Sequence, residues 1–229
     1  MCNKINKITI PILEQFTDFM IANRRKVTPN FFADEFNRVK WICLQELPED
    51  VFCTEAEIAA TKLVETENTN FAGIIMSSLC KLVESIPELL EPLAIKGYEI
   101  SKINGDTIHM LSRLNDLRKI YHDQPDKLYL YIKVLYKEEK CLKKLVNNYE
   151  QATKNYKTLT RRPATLQEYE QMLGFIQTEI GKLTRRKHPI DALKKLISAR
   201  EIFVKRNNTK HVAYIDLLIK EIEQNISHS

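Results

Sequence analysis

The side chains in this sequence with the most reactive chemistry are its histidines and cysteines, and neither set is spaced for a known site. His109, His122, His188, His211 and His228 show no HExxH or other metal-ligand spacing. Cys2, Cys43, Cys53, Cys80 and Cys141 are odd in number, include no CxxC and form no cluster with histidine, which argues against a disulfide framework and a zinc site. Reduced thiols in a cytosol-like compartment are the simplest reading. A cysteine and a histidine brought together by the fold could still make a nucleophile–base pair. On apolar helix faces, however, free cysteines usually serve as small core residues. Only 5 of the 229 residues are glycine, and there is no P-loop, no dinucleotide-binding glycine motif and no nucleophile elbow. No cofactor is implied.

The other candidate chemistry is cationic. Arg161 and Arg162, then Arg185, Arg186 and Lys187, then Lys205 and Arg206 form basic clusters that could hold an acidic ligand. Residues 1–100 carry 10 Lys+Arg against 15 Asp+Glu, and residues 101–229 carry 25 against 15, so a net −5 half precedes a net +10 half. That asymmetry suggests an acidic partner for the second half, or mutual neutralisation of the two halves. Each basic cluster also ends an apolar-periodic run, where cations favour the unpaired carbonyls and negative dipole of a helix C-terminus.

These residues must be positioned by helices. Few glycines, abundant Lys, Glu, Leu and Ile, and prolines at the starts of apolar-periodic runs predict an all-α chain. The expected architecture is an N-terminal bundle of short helices, then a bundle of long antiparallel helices with coiled-coil-like packing. The corresponding regions are an acidic one over 1–100 and a basic one over 104–229.

In the first region, Leu13, Phe16 and Met20, then Phe32, Phe36 and Cys43, then Ile75, Leu79 and Val83 repeat at helical spacing. Thr28 before Pro29 reads as an N-cap, and Thr54 with Glu57 as a capping box. Residues 97–111 leave two readings open. Asn104-Gly105 is the strongest short hairpin signal, whereas a helix end, a turn and a new helix capped by Asp106 fits the helical surroundings.

In the second region, Leu128, Leu135, Leu142, Tyr149 and Tyr156 fall at seven-residue intervals, predicting one helix over about 126–160 with a heptad seam. Thr165 and Glu168 form a second capping box ahead of a cleaner heptad through Leu166, Tyr169, Leu173, Ile176, Ile180 and Leu183. Further helices begin at Pro189 and near Thr209, and the short connections require antiparallel neighbours.

No run approaches the roughly 18 apolar residues of a membrane span, and the first residues lack a signal-peptide apolar stretch. The leading expectation is a non-enzymatic helical interaction module (an adaptor, complex subunit or effector) in the cytoplasm or delivered into a host cell. Its partner would be another protein, itself helical, held by the seam of Leu128, Leu135, Leu142, Tyr149 and Tyr156. The alternative is a basic module in which Arg161, Arg162, Arg185, Arg186, Lys187, Lys205 and Arg206 bind anionic lipid head groups or nucleic acid. A third reading is an enzyme whose site is assembled from dispersed cysteine, histidine and carboxylate residues.

Overall fold

The structure is a computed structural model that describes residues 6–154 and 163–227, with side chains from residue 12 onward. Among the described residues it is all-α, with eleven α-helices, a 3-10 turn at Pro125–Lys127 and no strand. Among the described residues no helix is long and apolar enough to cross a membrane. The helices are α1 (Asn6–Ala22), α2 (Pro29–Leu44), α3 (Glu49–Glu65), α4 (Thr69–Leu82), α5 (Pro87–Ile103), α6 (Thr107–His122), α7 (Leu128–Asn147), α8 (Tyr149–Thr153), α9 (Leu166–Thr184), α10 (Pro189–Lys205) and α11 (Thr209–Ser227). They divide into two compact units, Met1–Ile120 and Tyr121–Ser229. The division falls near the end of α6, C-terminal to the Asn104-Gly105 turn.

The ends of the helices follow local sequence chemistry. Thr28 Oγ1 accepts from the Phe31 amide at 3.2 Å, with Pro29 at the first helical position. Thr165 and Glu168 form the reciprocal capping box: the Glu168 amide donates to Thr165 Oγ1, and the Thr165 amide donates to Glu168 Oε2 at 2.6 Å. The second expected box is not one. Pro48 starts α3 a turn and a half earlier, so Thr54 lies inside the helix and its hydroxyl donates to the Asp50 carbonyl at 2.9 Å.

Residues 97–111 form no hairpin. The Gly105 amide donates to the Lys102 carbonyl and the Asp106 amide to the Ser101 carbonyl, a Schellman closure with Gly105 at φ +67°. Asp106 then caps α6 by accepting from the His109 amide. The same closure recurs with Glu67 at φ +62° after α3 and Asn207 at φ +53° after α10.

In the first unit, Phe32, Phe36, Phe52 and Leu63 are inaccessible to solvent. Phe32 stacks on Phe71 at 4.4 Å between ring centroids and tilts against Phe16 at 5.2 Å. Helix α3 packs on α4 and α4 on α5. In the second unit α9 is central, packing on both α7 and α10, while α10 also packs on α11. Glu170 at the start of α9 meets Arg206 at the end of α10, so these two helices are antiparallel.

Two glycines set how closely α9 and α10 approach. A Cβ on Gly174 would come within 3.0 Å of the Phe203 ring, and one on Gly181 within 2.7 Å of Leu196 and 3.2 Å of the Ala192 carbonyl. The backbones lie too near for any side chain at Gly181 without displacement.

The helix expected over 126–160 is interrupted. Asn148 adopts φ −130°, ψ 37° between α7 and α8, and its side-chain amide donates to the Lys144 carbonyl at 3.3 Å. Asparagine competes in this way for backbone partners, so the paired Asn147-Asn148 ends the helix although the seven-residue spacing continues to Tyr149.

Candidate functional site

The expected seam is distributed between core and surface. Leu135 and Leu142 are inaccessible to solvent within the second unit, and Tyr149 is half-buried with its hydroxyl donating to the Ala164 carbonyl at 3.1 Å. Leu128, in the first turn of α7, is 46% exposed. Tyr156 lies outside the described residues. Leu135 and Leu142 face α9 and hold the unit together, which leaves them unavailable to a partner in this structure.

The basic clusters are also divided. Arg161 and Arg162 lie outside the described residues. Arg185 pairs with Glu221 at 3.0 Å, and Lys205 and Arg206 both pair with Glu170. Burial pushes the Glu170 carboxyl up, but its bonds to Arg206 and Lys205 outweigh this and hold it below the usual carboxylate range. Arg186 and Lys187 are exposed and have no ion-pair partner among the described residues. The Arg185 and Lys205 turns lie at opposite ends of α10, about 25 Å apart at 1.5 Å per residue.

The thiols are placed for packing. Cys43, Cys53, Cys80 and Cys141 are all buried thiols outside any disulfide. Burial pushes each thiol up, that of Cys53 to about 11 with help from nearby carboxylates. A reactive cysteine needs the opposite, a stabilised and accessible thiolate. In the first unit Arg113 is itself buried, with Nη1 3.3 Å from Asp116 Oδ2 and Nη2 donating to Ser112 Oγ. Among the described residues no group of His, Cys, Asp and Glu is arranged to hold a metal ion.

Heptad spacing does not mark two further features. The first is an apolar stripe on α10: Ile190 is 63% exposed, Ile197 44% and Val204 48%. They are seven residues apart, so they share one face, while Ala192, Leu196, Ala199 and Phe203 turn inward to the core. The sequence could not separate them from the buried set, because both repeat with the same period.

The second is a polar node in the core between α7, α9 and α10. The Glu139 carboxylate is 5% exposed and accepts from Lys195 Nζ at 2.6 Å through each oxygen. Lys143 pairs with it at 2.8 Å, and Gln177 Nε2 donates to it at 3.2 Å. Burial pushes this carboxyl up, but the bonds from Lys143, Lys195 and Gln177 prevail and hold it below the usual range. Above the node lies a cavity of about 380 Å³ lined by Tyr136, Lys143, Gln177, Asp191, Lys194, Lys195 and Ser198. Glu138 and Glu139 look from sequence like an ordinary solvated pair; only the packing of α9 and α10 over α7 makes them buried, at 2% and 4% exposure. No family model matches the chain, and no curated protein or solved structure matches it either.

Proposed function

We propose that this protein is a helical interaction module whose second unit engages an amphipathic partner helix along the outer face of α10. The observation that carries this reading is the stripe of Ile190, Ile197 and Val204, three aliphatic side chains left largely exposed at heptad spacing on a well-packed helix. Helix-in-groove recognition uses anchors at this spacing. Exposed apolar side chains aligned on one face favour association, since covering the exposed half of each would contribute on the order of 1 kcal/mol. The exposed charges of Lys194 and Glu201 flank the stripe and supply means of selecting register. Interaction through the α7 seam is the weaker version, because Leu135 and Leu142 are already covered.

The test replaces Ile190, Ile197 and Val204 together by serine. The triple variant should keep its helical circular dichroism and its melting temperature, since none of the three is buried. Capture from lysate should then recover a protein with the wild type, resistant to nuclease and to high salt, and lose it with the variant. Retention of the same protein by a folded variant would reject the stripe. Recovery of nucleic acid or anionic lipid, released by salt, would instead move the function to Arg186 and Lys187, because counterion release makes such binding steeply salt-dependent.

A further inference from the structure

We infer that the helix received by the α10 stripe is α10 of a second copy of this chain, the two running antiparallel about a two-fold axis at Ile197. This rests on the interaction reading above and names its partner. The stripe is symmetric about its middle. Ile190 and Val204 each lie seven residues from Ile197, about 10 Å along the helix on either side at 1.5 Å per residue. A two-fold axis at Ile197 therefore sets Ile190 of each copy against Val204 of the other, and Ile197 against its own counterpart. Aliphatic side chains that are 63%, 44% and 48% exposed in the single chain then cover one another at all three levels.

The charges beside the stripe are self-complementary in the same register. Lys194 lies three residues before Ile197 and Glu201 four residues after it. Across the axis, Lys194 of one copy and Glu201 of the other come within about 1.5 Å of the same level, and the symmetry makes this pair twice. Both side chains are exposed and available. Lys194 makes only a loose 3.7 Å contact with Asp191, and Glu201 has no ion-pair partner among the described residues. The neighbouring charges are already engaged within the chain, Arg200 by Asp216 at 2.6 Å and Lys205 by Glu170 at 3.4 Å.

The same two residues set the direction. At 3.6 residues per turn, Lys194 and Glu201 fall on one flank of the stripe and Leu193 and Arg200 on the other. In an antiparallel two-fold pair each flank meets its own counterpart, so lysine meets glutamate. In a parallel pair that flank would meet the opposite one, where Lys194 would lie beside Leu193 and Arg200 is already held by Asp216. From Ile190 to Val204 the contact runs about 21 Å, at the small end of specific interfaces, so a dissociation constant on the order of micromolar is expected.

The experiment is sedimentation equilibrium of the full chain from submicromolar to submillimolar concentration, with circular dichroism of each variant as a folding control. The wild type should pass from monomer to dimer over that range. Ile197→Glu opposes two carboxylates on the axis and should raise the dissociation constant roughly a hundred-fold. Glu201→Lys should weaken the dimer roughly ten-fold, and adding Lys194→Glu should restore it to within about two-fold. Cysteine substitution reads the direction, in a Cys2→Ser background because the other four thiols are buried. Residues that face each other between helices about 8–10 Å apart have Cα atoms about 5 Å apart, within disulfide range. Ile197→Cys should therefore cross-link to its counterpart under mild oxidation with glutathione disulfide, whereas Ile190→Cys should not.

Cross-linking of Ile190→Cys as complete as that of Ile197→Cys would mean a parallel pair and overturn the arrangement. A dimer indifferent to Ile197→Glu would place the contact elsewhere and overturn it as well. A wild type monomeric throughout would overturn self-pairing, yet the stripe itself would stand if a protein captured from lysate were still lost with the triple serine variant. Failure of both results would remove the stripe reading together with its partner.

Discussion

The two units close their interiors with different side chains. Seven of the nine phenylalanines lie in residues 1–120 and eight of the nine tyrosines in 121–229. In the first unit Phe16, Phe32, Phe36, Phe52 and Phe71 form a continuous ring cluster. The second unit has a glycine-mediated approach of α9 to α10 and admits Glu138, Glu139, Gln177, Thr178 and Thr184 to its interior. An apolar cluster tolerates imprecise placement, because burial is non-directional. A buried carboxylate requires particular partners at particular distances, and Glu139 has three. The first unit also buries polar groups, Arg113 against Asp116 among them, but Glu139 gathers three partners from three helices, and the loss of one member of that node leaves the others unmet.

Substitutions in each unit separate the two kinds of interior. Phe32→Ala should have the largest effect, about 4 kcal/mol of lost stability in the first unit, because a fully buried ring with three ring neighbours leaves a cavity. Denaturant unfolding with hydrogen-exchange mapping would assign that loss to helices α1–α6. Glu139→Ala should cost about 3 kcal/mol in the second unit, since it leaves Lys195 and Gln177 facing each other without the anion that joins them. If the loss were only a few tenths of a kcal/mol, the node would be a solvated surface pair.

Acid should distinguish the units in the same way. Glu139 lies below its ordinary pKa, so its stabilising contribution is present at neutral pH and is lost as pH falls through its folded value. Asp116 is pushed up by burial despite Arg113, so its effect has the opposite sign: ionisation costs the folded state, and acidification relieves that cost. Hydrogen exchange followed down through about pH 4, the ordinary carboxylate range, should show α7, α9 and α10 losing protection before α4–α6.

Gly181→Ala should destabilise by about 2 kcal/mol, against its favourable helix propensity, because the new methyl meets Leu196 and the Ala192 carbonyl. A neutral result would mean that α10 can recede freely from α9. The smallest change is a gain. Glu67→Gly should stabilise the α3–α4 turn by up to about 1 kcal/mol, since glycine accepts the positive φ that glutamate holds there under strain. Thermal melts of the two proteins would measure it, and no such gain is expected at Gly105, where the residue already suits the closure.

Local sequence alone determined the helical class, because period, caps and turn residues act within a few positions of each other. Thr28, Thr165 with Glu168, and Asp106 all act as helix caps. Tyr169, Leu173, Ile176 and Ile180 are buried where the α9 periodicity places them, while Leu166 at its start is exposed. Period alone did not reveal which of two interleaved stripes faces inward: on α10, Leu196 and Phe203 are buried while Ile197 and Val204 are exposed, one position apart. Nor did it anticipate that Asn148 would divide the run of seven-residue intervals from Leu128 to Tyr156, because a side-chain bond to the backbone is invisible to hydrophobic patterning.

Only the tertiary structure brought Glu139, Gln177 and Lys195 together, from positions separated by 38 and 56 residues. The reason is physical. Helix formation depends on contacts within a turn or two, whereas a buried charge is identified by which distant helices cover it and what partners they carry.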